Sequence, residues 1–144
     1  MKAGIDRLRK AREREGRLTP DLIAQLEQSQ RALDVRVGAV RQMTEAGVRM
    51  TAGSDSPWGW YAPGEFVHEI HMLAQAGLSY SDAIVAGTAG AADSIGVGGL
   101  AGRLAPGRLA DFMVVRGDPT REITALWDVL DVYQAGRRIE RGVR

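Results

Sequence analysis

Asp55 stands in the run Thr51-Ala52-Gly53-Ser54-Asp55-Ser56-Pro57-Trp58, one carboxylate just beyond a short apolar-to-mixed stretch, Gly47 to Ala52. In a parallel α/β sheet or barrel, ligands bind at the carboxyl ends of the strands, so a polar residue there is placed for chemistry rather than for packing. The local sequence also allows a plainer role, in which Asp55 caps a turn with Ser54 and Ser56. His68 and His71 follow, three apart on a helical stretch and therefore neighbours on one face. Two histidines near a carboxylate suggest a metal site. A lone pair at this spacing is a weak signal, and surface or hydrogen-bonded histidines are the expectation.

The elements that must position these groups begin at Thr19-Pro20-Asp21. Thr19 can cap free amides, Pro20 needs no donor in the first turn, and Asp21 suits the positive end of the helix dipole. Leu22, Ile23, Leu26, Leu33, Val37, Val40 and Met43 recur near helical spacing, which predicts a helix with one apolar face running to about Ala46. Gly47 ends it, and 47–52 reads as a strand entered from that helix, the αβ half of a βαβ unit. A coiled-coil or dimer helix is the competing reading; Gly38 and the short run of heptads count against it.

Beyond the strand, Pro57-Trp58-Gly59-Trp60-Tyr61-Ala62-Pro63-Gly64 is a loop dense in aromatics. Trp58, Trp60 and Tyr61 either wall a substrate pocket or pack under the rest of a barrel. Gly96 to Gly102 is glycine-rich but lacks the Lys-Ser/Thr of a phosphate loop and follows no strand. Pro106-Gly107 marks a turn, Phe112 to Val115 a buried strand, and Val129 to Ala135 with Arg138 to Glu140 a final hairpin about Gly136-Arg137. Asp111 and Asp118 read as turn residues.

Composition narrows the class. With 144 residues, net charge +1, 44% hydrophobic and 26% charged residues, the chain has the make-up of an ordinary globular protein and implies no strong partner class. Absence of cysteine excludes disulfides and thiolate metal sites. No apolar run approaches a membrane span and the basic start lacks a signal peptide's apolar stretch, so a cytoplasmic location is expected. The opening seventeen residues interleave Glu with Arg and hold no aromatic, which suits a solvated helix better than a nucleic-acid arm.

Three segments resemble the C-terminal end of metal-dependent amidohydrolases, the imidazolonepropionase-like and prolidase-like enzymes. They are Gly47 to Asp55; the helix pair His68 to Ser79 and Asp82 to Ala92; and Gly102-Arg103-Leu104-Ala105-Pro106-Gly107-Arg108-Leu109-Ala110-Asp111-Phe112-Met113-Val114-Val115 with Gly136-Arg137. The resemblance implies an α/β fold: the C-terminal portion of a (β/α)8 barrel over residues 1–98, with its last strand and following helices, and strands of the accessory β-sandwich over 99–144. A complete barrel needs roughly 250 residues, and the family's paired histidines, its carboxylated lysine or glutamate and its two later histidines have no counterpart here. The expectation is therefore a fragment or reduced relative, incomplete as a catalyst alone. With the missing N-terminal barrel part supplied, the resemblance implies hydrolysis of C–N bonds in cyclic amide, amidine or dipeptide-like small molecules by metal-activated water. Asp55 would be catalytic and a metal ligand, Trp58 and Trp60 substrate-binding, Glu69 structural, and the cofactor a divalent metal, zinc being the expected one. The alternative is a non-catalytic assembly module that forms homo-oligomers or binds a partner. Neither reading involves nucleic acid or a membrane.

Overall fold

The computed structural model describes residues 20–55 and 64–140. Helix α1 spans Pro20–Glu45, α2 Val67–Gln75, α3 Tyr80–Ala86 and α4 Ala89–Ser94. Strand β1 (Phe112–Val115), a 3-10 helix η1 (Ile123–Trp127), β2 (Val129–Gln134) and β3 (Arg137–Arg138) follow. Among the described residues no helix is long and apolar enough to cross a membrane.

Helix α1 ends where its glycine requires. Gly47 takes φ +78°, its N–H bonds to the Thr44 carbonyl, and the Val48 N–H bonds to that of Met43. This pair of bonds satisfies carbonyls that the last turn would leave free, in a backbone region that costs glycine nothing. The apolar stripe is narrower than the spacing predicts: Val40 packs against the core, whereas Ile23 and Met43 are exposed. At the same end Arg41 donates to the carbonyl of Gln75 at 3.3 Å, tying α1 to the C-terminus of α2.

Helix α3 begins at Ser79, whose hydroxyl accepts from the Asp82 N–H at 3.1 Å and donates to the Asp82 carboxylate at 2.6 Å, a reciprocal cap on the first turn. The core is a small cluster made by residues three apart on short helices. Ile70 (4% exposed) and Leu73 from α2 meet Ala83 (0%) and Ala86 from α3, and Ile123 and Leu126 from η1 close it. Met50, Ala52, Phe66 and Leu78 pack around this cluster. Thus a segment far along the chain supplies the floor on which the helices rest.

The sheet is antiparallel in the order β1-β2-β3. Phe112 faces Tyr133 and stacks on it at 4.5 Å, and the register shifts between Val114 and Val115. The β2–β3 hairpin turns at Ala135-Gly136, both at positive φ (48° and 75°), one residue before the turn the sequence suggests. Two left-handed residues match the twist of a two-residue hairpin. Ala135 is helped there by Asp111, whose carboxylate accepts the Ala135 N–H at 2.6 Å. Asp111 is therefore a turn residue, but of a turn 24 positions away.

The stretch 47–52 differs from expectation. Residues 48–55 belong to no strand. A strand exists through its ladder, and the described residues offer this segment no neighbour. Among the described residues, its backbone tie beyond α1 is one bond, from the Ala52 N–H to the Ala86 carbonyl at the end of α3, 3.0 Å.

Candidate functional site

Asp55 closes this extended segment. Met50 and Ala52 hold the segment against the core, so its tip is carried outward and Asp55 is exposed. Its φ is +49°, a left-handed conformation that aspartate tolerates better than most residues and that is uncommon enough to mark a place of interest. Among the described residues no group donates a hydrogen bond to its carboxylate. Trp58 and Trp60, expected beside it, lie outside the described residues, as do Tyr61 and the basic opening segment.

His68 and His71 are brought together with a residue that the sequence did not suggest. Both rings meet Trp127 of η1 edge to face, with centroids 5.4 Å and 5.2 Å away. Gln75, one turn on from His71, places its side-chain nitrogen 2.9 Å from His71 Nε2, so with the amide as donor that nitrogen's lone pair is in use. Trp127 is 43% exposed. With His68, Met113, Leu130, Asp131 and Ile139 it lines an open groove of about 1140 Å³ between the start of α2, η1 and the sheet. No local signal marks this cluster: the Ile123/Leu126 spacing shows which face of η1 is buried and not what meets Trp127.

Several carboxylates are held by specific partners. Arg103 grips Asp93 with two parallel bonds, 2.9 Å and 2.6 Å, and this guanidinium lowers the Asp93 pKa. The Thr120 hydroxyl and then its N–H lower that of Asp118; the Thr124 hydroxyl and N–H do the same for Glu122, with His71 adding a smaller pull. In each case the folded state binds its proton less tightly than the unfolded chain. The stabilisation is therefore present at neutral pH and lost as pH falls through the lowered folded values. A thermal melt followed from pH 7 down to about 2.5 should show the midpoint dropping only in the acid limb, and Asp93→Asn should flatten part of that drop. An acid limb unchanged by Asp93→Asn would show that the Arg103 pair adds nothing.

The metal fit is incomplete. No three His, Asp or Glu side chains converge among the described residues, and His71 Nε2 already has the Gln75 amide. Asp55 can contribute one oxygen to a cation, and the described residues add no others to it.

Residues 4–139 match the amidohydrolase family. Among solved structures, a candidate prolidase from Bifidobacterium longum is 31% identical over 86% of this chain and 32% of its own, with a TM-score of 0.72. A Xaa-Pro dipeptidase with methionine bound in its active site aligns over 95% of this chain and 33% of its own at 23% identity and TM-score 0.68, a likeness of fold alone. Molinate hydrolase aligns over 70% and 25% at 24% identity and TM-score 0.62, again in fold. The chain thus spans about a third of the length, or less, of these solved structures. No curated protein matches it.

Proposed function

The chain belongs to the amidohydrolase family, and from that premise we propose that it forms the C-terminal portion of a (β/α)8 hydrolase that cleaves C–N bonds. In this reading residues 1–98 carry the last barrel strand and its helices, and 99–144 carry strands of the accessory sandwich, joined to the helices through Ile123 and Leu126. The observation that carries the reading is Asp55: an exposed carboxylate, on a segment anchored by Met50 and Ala52, in the sequence context that resembles the family's strand end.

The family implies a divalent metal, zinc in the simplest case, which would polarise the scissile carbonyl and activate water. The described residues do not make its site, so other ligands must come from barrel strands elsewhere. Asp55 itself would take a proton from the attacking water and pass it to the leaving nitrogen. Likeness to the Bifidobacterium longum candidate prolidase favours dipeptide-like substrates over cyclic amides. Trp58 and Trp60 would line the substrate side.

Exposed apolar side chains support a covering polypeptide. Met113, Leu130 and Ile139 are among the exposed apolar side chains.

The test is reconstitution. The chain, alone and with a polypeptide carrying the earlier barrel strands of a relative, would be assayed against Xaa-Pro dipeptides, with native mass spectrometry reporting metal and stoichiometry. Turnover in a one-to-one, metal-containing complex is expected. A defined homo-oligomer that ignores both metal and the barrel polypeptide would instead support the assembly-module reading.

A further inference from the structure

The segment that bears Asp55 is held without a ladder, and the contacts that hold it converge on the junction between α3 and α4. The Ala52 N–H donates to the carbonyl of Ala86, the last residue of α3. That carbonyl is one of those a helix end leaves free, so the junction supplies an acceptor where a neighbouring strand would otherwise be needed. The junction carries two glycines, of which Gly90 borders this segment and Gly87 the core. A Cβ at Gly90, the second residue of α4, would lie 3.1 Å from the Val85 carbonyl oxygen and 3.9 Å from that of Met50. A Cβ at Gly87 would lie 2.7 Å from the Ile70 side chain. The Gly90 position thus meets the end of α3 more tightly than an ordinary contact and the backbone of Met50 at ordinary van der Waals distance, so a side chain there presses first on the Val85–Ala86 end that accepts the Ala52 N–H.

We infer that Gly90 is a positioning residue for Asp55, acting through the Met50–Ala52 backbone and its bond to Ala86. Two residues, Gly53 and Ser54, separate Ala52 from Asp55, so a shift at this bond is passed along a short stretch to the carboxylate. The inference rests on the proposed role of Asp55, but its first readout does not need catalysis.

Amide hydrogen exchange on the 144-residue chain tests it, comparing the parent with Gly90→Ala and Gly90→Val. The Ala52 amide should lose protection in graded fashion, by about tenfold or more with valine, because a local opening changes exchange only at the bonds it breaks. The Ala83 and Leu78 amides, bonded to Ser79 and Leu73 carbonyls, should keep theirs. Unchanged protection at Ala52, or equal loss at all three amides, would overturn the inference. Should valine prevent folding, the alanine variant decides by the same local criterion. In a reconstituted enzyme Gly90→Ala should lower kcat with KM unchanged. Local loss of protection with kcat unmoved would support the positioning and overturn the role proposed for Asp55, so the two failures are distinguishable.

Discussion

Asp55→Asn should remove most of the turnover of a reconstituted hydrolase, about 10²- to 10⁴-fold in kcat, the usual contribution of a positioned proton-transfer group. Asparagine keeps the shape but cannot accept and return the proton. It is also the informative replacement structurally. The backbone there is left-handed at φ +49°, and asparagine adopts that region as readily as aspartate, so a loss of rate cannot be charged to backbone strain. The side chain is exposed, and the thermal midpoint and circular dichroism should match the parent. A variant that keeps its rate would remove Asp55 from the mechanism, and one that unfolds would show the residue to be a cap.

Gly102→Ala should be the most damaging small change to stability, about 3 kcal/mol. Two independent costs combine. Gly102 has φ +84°, where a Cβ costs roughly 1–2 kcal/mol. The added carbon would stand 2.6 Å from the Ala92 Cβ and 3.0 Å from the Thr88 carbonyl oxygen, an overpacking worth about 1–3 kcal/mol. Gly99 is the control, since nothing lies within 4 Å of its missing Cβ and its φ is ordinary. Gly99→Ala should be neutral or slightly stabilising. Urea unfolding of both variants checks this; equal midpoints would mean that the loop yields without cost.

That contrast shows what the glycine-rich run is for. The sequence excludes a phosphate loop from Gly96–Gly102 but offers no use for the glycines. In the fold the run lies on α4: Gly102 against Ala92, and Gly98 where the Asp93 carboxylate stands 1.9 Å from the place a Cβ would occupy. Close approach between a loop and a helix leaves no periodic trace, so it was not legible. The end of α1 at Gly47 and the strand 112–115 were legible because their signals are local: a left-handed stop and an apolar run after a turn. The stretch 47–52 read as a strand because its residue types favour one, yet ladder formation depends on a neighbour and not on the segment. Asp55 could be singled out from its strand-end context. The joining of His68 and His71 with Trp127 could not, for spacing says which residues share a face and nothing of what meets it.

Ile70 lies on the second helix and the pair that seals it, Ile123 and Leu126, lies more than fifty positions later. As the chain leaves the ribosome, α1 through α4 therefore emerge with their shared apolar face still open. They gain a floor only when η1 has been made. Long-range closure of this kind slows folding and prolongs exposure of apolar surface. A polypeptide stopped between Ser94 and Ile123 would hold all four described α-helices and lack the two side chains that close their core.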